Sequence, residues 1–238
     1  PETRKNQPRI CPETLTHSRR TIFASVPWFL MDIATYGVGI FTPTLIAALA
    51  FGGDQDKSNT NFIADDILTL EWTAILDIFL VLGFVAAIFL VERWGRVRLQ
   101  TIGFAFMSLG LIVLGIASIL QGSANTGYLG VVFIGFAIFN FFMNAGPNAT
   151  TYALPAEIFP SDIRSAGHGF SAGAAKLGAA LGVFFFPILQ GVIGIPALVF
   201  AMSGICVLAM VITQIFKIEP AGKSLDEISG RKLARLYP

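Results

Sequence analysis

Six stretches of this 238-residue chain are long and apolar enough to cross a lipid bilayer: about 21–50, 72–91, 99–120, 128–154, 166–190 and 195–217. A spanning helix needs roughly 20 mostly apolar residues. In hydrocarbon every backbone N–H and C=O must be satisfied within its own segment, so runs of this kind become helices. The pattern predicts an all-α membrane protein with six transmembrane helices, a leader at 1–20, a bundle at 21–217 and a tail at 218–238. Apolar residues make up 54% of the chain and charged residues 13%. That is about half the charged share of a soluble domain, so the surplus apolar surface is expected to face lipid. The first and fourth runs exceed the bilayer's thickness and contain Pro43 and Pro147, which predicts tilts or kinks.

Charge sets the expected orientation. Arg4, Lys5, Arg9, Arg19 and Arg20 precede the first run, and Arg93, Arg96 and Arg98 lie between the second and third. Arg164 lies between the fourth and fifth, and Lys217, Lys223, Arg231, Lys232 and Arg235 follow the sixth. Fourteen of the sixteen basic residues thus fall on alternate connections. The positive-inside rule then puts both chain ends in the cytoplasm, with the acidic connection 51–71 (Asp54, Asp56, Asp65, Asp66, Glu71) outside. An even number of spans with a basic leader describes one half of a six-plus-six carrier, built of two inverted three-helix repeats at 21–120 and 128–217. The chain opens on Pro1 without a signal peptide and is expected to be a piece of a longer polypeptide. The expected partners are an N-terminal six-helix half of the same transporter, the lipid bilayer, a small anionic or polar solute, and protons.

Only Asp32, Asp77 and Lys176 sit well inside apolar runs, and an ionisable group there is costly enough to mark function by default. Asp32 lies about 18 Å along its helix, and Lys176 at a similar depth, near mid-bilayer where carriers hold substrate. Asp77 is nearer the outer end. Trp28, Asp32 and Tyr36 recur every fourth residue and form one helix face, as do Asn140, Asn144 and Asn148. Asn140 reads better as interhelical glue. Asn144 and Asn148 flank Gly146-Pro147, where a missing amide donor frees backbone carbonyls. Carboxylate, amide, phenol, indole and ammonium groups at one depth suit a small polar oxyanion. The sequence offers no nucleophile–base set, phosphate-cradling loop, metal cluster or cofactor motif, and Cys11 and Cys206 suggest neither a disulfide framework nor a metal site. A net charge of +1 argues against nucleic acid. An enzyme is not expected.

Two turns on the basic side carry the most specific motifs: Glu92-Arg93-Trp94-Gly95-Arg96, and Pro155-Ala156-Glu157-Ile158-Phe159-Pro160 running on to Arg164. Arg93, Arg96 and Arg164 could bond Glu157 bidentately across helix ends; for Glu157 with Arg93 such a clamp is preferred to topogenic charge alone, and Arg98 is left to topology. Here the chain closely resembles the major facilitator superfamily, whose twelve-helix fold it would half fill. The resemblance is to its sugar-porter and phosphate:proton symporter branches, and the Glu219–Glu227 tail resembles a sugar-porter ending. It implies a cytoplasmic gate of Glu92, Arg93, Arg96, Glu157 and Arg164. Trp28-x3-Asp32-x3-Tyr36, the segment Asn144–Tyr152, and His168-Gly169 followed by Lys176 look most like the phosphate branch. That resemblance implies phosphate binding by Trp28, Asp32, Tyr36 and either Asn144 or Asn148, with Lys176 beside them. The expected function is proton-coupled phosphate symport by alternating access in the plasma membrane. The alternatives are a sugar or organic-metabolite symporter, and a non-transporting nutrient sensor on the same fold.

Overall fold

A computed structural model describes residues 12–50, 62–120 and 128–220, and every regular element in them is helical. The elements are α1 (Pro12–Ile40), α2 (Thr42–Ala50), α3 (Phe62–Trp94), α4 (Arg96–Leu120), α5 (Tyr128–Met143), a π-helical turn (Asn144–Asn148), α6 (Ala149–Ile158) and α7 (Arg164–Phe216). Five helical stretches among the described residues are long and apolar enough to span a bilayer. The last holds 53 residues, about 80 Å if straight, more than twice the hydrocarbon thickness. It folds back at Gly194, whose φ of 77° is open to glycine at little cost. Before Gly194 it runs parallel to α1, pairing Ser171 with Ser25 and Lys176 with Asp32. After it, the chain runs antiparallel to α4, pairing Ser203 with Ser108 and Thr213 with Gln100. Six passes result.

Several boundaries differ from the sequence reading, and the first is the start of α1 at Pro12, inside the expected leader. The run 21–50 breaks at Phe41, and Pro43 falls in the first turn of α2, where its missing N–H has no helical partner to lose. The acidic connection does not extend to residue 71. Helix α3 begins at Phe62, so Asp65, Asp66 and Glu71 are helical, because no Gly or Pro interrupts the Ile67, Leu68, Thr69 and Leu70 between them. Asp54 and Asp56 lie outside the described residues. The fourth run continues to Ile158, and Pro147 is absorbed by the π turn.

Apolar packing centres on Phe104, Met107, Leu111 and Leu114 of α4, which meet Phe136 and Phe139 of α5. Lipid is as apolar as these side chains, so close packing and hydrogen bonds, rather than escape from water, hold such helices together. Polar pairs cross the buried seams: Ser108 to Ser203 at 2.8 Å, Gln100 to Thr213 at 2.9 Å and Thr150 to Gln100 at 3.0 Å. Each contributes about 0.6 kcal/mol in a bilayer. Helix α3 turns Ile78, Val81, Phe84, Ile88 and Phe89 outward. The pairing of α1 with the first limb of α7, and of α3 with α5, is one that inverted three-helix repeats would also generate.

Candidate functional site

The stripe on α1 and the lysine on α7 meet at mid-span. Lys176 Nζ lies 3.4 Å from Asp32 Oδ2, donates to the Tyr36 hydroxyl at 3.2 Å, and sits 5.0 Å from the centre of the Tyr36 ring. A cation over a phenol ring gains about 0.5–2 kcal/mol, depending on how dry the site is. The two charges are buried unequally: the Asp32 side chain is 3% exposed and that of Lys176 is 64% exposed. An ammonium that open cannot face hydrocarbon inside a span, so this side of α1 and α7 borders water or another polar surface. Helix approach makes the pair possible. Gly182 lies where a Cβ would come 2.7 Å from the Ile33 carbonyl oxygen, and Gly178 sits still closer against Phe29.

The other expected site residues divide. Trp28, one turn from Asp32, is buried and contacts the rings of Tyr152 and His168. Asn148 Nδ2 donates to Asn144 Oδ1 across the π turn, with Asn144 buried and Asn148 exposed. Among the described residues no hydrogen bond ties either asparagine to Asp32 or Lys176. Asn140 is buried in α5. Asp77 stands exposed on α3, on an element apart from the Asp32–Lys176 pair.

At the basic end of the bundle Arg96 takes Glu157. Its Nε bonds both carboxylate oxygens at 3.1 and 3.0 Å, and Nη2 reaches Glu157 Oε1 at 3.0 Å and Glu92 Oε1 at 2.7 Å. Of the three arginines expected to reach Glu157, Arg96 does so, whereas Arg93, in the last turn of α3 before the reversal at Gly95 (φ 82°), is exposed and pairs with no acid among the described residues. Arg164 does not reach Glu157 either. Its Nε donates to the Phe159 carbonyl at 3.3 Å within its own turn, and its Nη2 is buried without a partner. Arg98 is exposed.

Sequence reasoning placed Glu219 in the tail motif and missed what it does. Its carboxylate accepts from the backbone N–H of Arg96 at 3.1 Å and of Val97 at 3.0 Å. It thereby caps the start of α4 with an anion, which also offsets the unfavourable position of the Arg96 cation at a positive helix end. The cap comes from more than 120 residues away, so no local N-cap pattern signals it. Arg19 does the reverse at the end of α7, donating to the Phe216 and Lys217 carbonyls at 3.4 and 3.1 Å. Arg19 thereby joins the start of α1 to the end of α7, and Glu219 joins the residues after α7 to the Arg96 turn.

A family model described as sugar (and other) transporter matches residues 57–230. The chain belongs to that family. It is therefore an integral membrane protein of a transporter family and not an enzyme. An Arabidopsis thaliana protein named "Probable inorganic phosphate transporter 1-6" is 33% identical over 216 residues, 90% of this chain and 41% of that protein. The Lotus japonicus "Low affinity inorganic phosphate transporter 4" is 33% identical over 170 residues, 71% of this chain and 31% of its own length. The chain spans well under half of these relatives. Among solved structures, a double-tryptophan variant of XylE superposes with a TM-score of 0.72 at 22% identity, covering 92% of this chain and 45% of that one. XylE with bound 6-bromo-6-deoxy-D-glucose, described as a proton:xylose symporter of the major facilitator superfamily, gives 0.62 at 24% identity. The family member described here has the fold of about half of that transporter.

Proposed function

We propose that this chain is the C-terminal half of a proton-coupled inorganic phosphate symporter, with both ends cytoplasmic, working with an N-terminal six-helix half in the plasma membrane. The observation that carries the reading is the Lys176 ammonium held between Asp32 and Tyr36 on an open polar face at mid-span. The names of the plant relatives point the same way. A protonated Asp32 would free Lys176 for a phosphate oxygen and could itself donate a hydrogen bond. An ionised Asp32 would retake Lys176 and help to expel the anion. Tyr36 and Asn144 or Asn148 would supply neutral donors, and Trp28 would wall the site.

Labelled-phosphate uptake by proteoliposomes of the intact transporter under an imposed pH gradient, with glucose as competitor, tests the reading. Gradient-dependent phosphate uptake that glucose does not inhibit is expected. Lys176→Gln should weaken phosphate binding about tenfold, because a charge-assisted contact to a phosphate oxygen is worth about 1.5–3 kcal/mol. Glucose uptake without phosphate uptake would favour a sugar symporter, the reading that the family description supports. Saturable phosphate binding without uptake would make the protein a sensor.

Alternating access needs a gate, and Arg96 with Glu157 and Glu92 is proposed as this half's share of it on the cytoplasmic side. Glu157→Gln removes the anion from three charge-assisted contacts. Losing about 1.5 kcal/mol from the closed state shifts the closed-to-open ratio about tenfold. The expected outcome is uptake slowed several-fold with phosphate affinity nearly unchanged. Full uptake in this variant would leave the ion pair with a packing role only.

A further inference from the structure

Three rings from three elements meet between the mid-span site and the Arg96 turn. Trp28 of α1 and Tyr152 of α6 have centroids 5.9 Å apart with planes at 76°, and Trp28 and His168 of α7 lie at 5.8 Å and 73°. Tyr152 and His168 close the triangle at 5.1 Å and 84°. All three contacts are edge-to-face, an arrangement favoured by the ring quadrupoles. The depth of the triangle follows from helix rise. Trp28 is one turn before Asp32 on α1, and His168 is eight residues before Lys176 on the parallel limb of α7, about 12 Å. Tyr152 is one turn beyond Asn148 on a helix that runs on to Glu157. Each ring is thus displaced from the central site toward the same end.

We propose that Trp28, Tyr152 and His168 form this half's share of the floor of the central site, an aromatic layer that bars solute and water from the Arg96 end while the gate is shut. Burial suggests the division of labour. Trp28 is 6% exposed and fixed in the α1 packing, His168 is half-buried, and Tyr152 is 63% exposed, held chiefly by the two ring edges. Tyr152 is exposed, as are Asn148 and Lys176. The rings ride on three different elements, so a shift of α6 against α1 and α7 breaks the layer and opens the path. Tyr152 is the leaf that swings, and Trp28 with His168 is the jamb.

The assignment rests on the central site lying at Asp32 and Lys176, but not on the solute being phosphate. Gly173→Cys supplies a reporter. Position 173 lies between His168 and Lys176 along α7, and a Cβ there meets nothing within 4 Å. In the intact transporter, freed of other accessible thiols, labelling by a membrane-impermeant thiol reagent is measured separately from each side of the membrane. Tyr152→Ala removes a mostly exposed ring and is expected to fold. It should raise labelling from the Arg96 side about tenfold and leave labelling from the opposite side unchanged. His168→Ala should do the same, whereas Tyr152→Phe and His168→Phe, which keep the ring contacts, should label at the parental rate. Two outcomes overturn the floor. One is a rate from the Arg96 side that stays within twofold of the parent in both alanine variants. The other is a rise matched by a fall from the opposite side, which is a shift of conformational population rather than a missing barrier. Protection of the Gly173→Cys thiol by added inorganic phosphate reports separately on the solute. If phosphate fails to protect while the alanine variants behave as expected, the phosphate reading falls and the floor stands.

Discussion

Asp32→Asn is expected to fold, reach the membrane and lose at least nine-tenths of proton-driven phosphate uptake. The folding half of that expectation follows from the unequal burial of the pair. Removing the charge from Asp32 strands Lys176, but its side chain is 64% exposed and keeps access to polar surroundings. The structural cost should stay near that of a surface ion pair, about 0–1 kcal/mol. The reverse change is harsher, since Lys176→Gln leaves a carboxylate that is 3% exposed without its cation. The functional half follows from chemistry. Asparagine keeps the size and hydrogen-bonding capacity of the side chain but cannot gain or lose a proton, so it cannot alternately hold and release Lys176. Tenfold in rate corresponds to about 1.4 kcal/mol, less than a charge-assisted contact supplies. Asp77→Asn, on exposed α3 away from the pair, should change uptake far less. Uptake by Asp32→Asn proteoliposomes equal to that of the unmodified protein would remove this carboxylate from the mechanism.

Gly178→Leu should give little folded protein, and what folds should not transport. A Cβ at position 178 would run into the Phe29 carbonyl group, which is backbone and cannot swing aside, with the Phe29 ring next to it. Gly182 faces the Ile33 carbonyl oxygen at 2.7 Å, and Gly37 faces Phe186 at 3.2 Å, so three glycines set the close approach of α1 and α7 along this stretch of their seam. Small residues let membrane helices approach closely enough for packing and hydrogen bonds to hold them. A leucine there must push the helices apart, and overpacking costs about 1–3 kcal/mol or more. For a bundle of this size about 3 kcal/mol lowers the melting temperature by about 6–12 °C. The same separation would open the 3.4 Å contact between Lys176 and Asp32. Gly204→Leu is the control, since a Cβ at 204 meets nothing within 4 Å. Size-exclusion profiles and melting in detergent should show Gly178→Leu aggregated or strongly destabilised and Gly204→Leu close to unmodified. Equal behaviour of the two variants would mean that the seam tolerates separation.

Local pattern determined much of this protein. Six apolar runs announce a helical membrane bundle, since hydrocarbon leaves a lone chain segment no other way to satisfy its backbone. The four-residue spacing of Trp28, Asp32 and Tyr36 puts them on one face whatever the helix packs against. The cost of intramembrane charge singles out Asp32 and Lys176 before any contact is known. Tertiary structure decided which charges and rings meet. Glu157 takes Arg96 rather than Arg93 because Gly95 reverses the chain between the two arginines. Glu219 caps α4 from the far end of the chain, and Trp28, Tyr152 and His168 assemble from three elements. Hydropathy and periodicity are properties of neighbours along the chain. These partners are fixed by how closely helices approach and where each one ends, and that distance is set by glycines whose role shows only once the opposing backbone is in place.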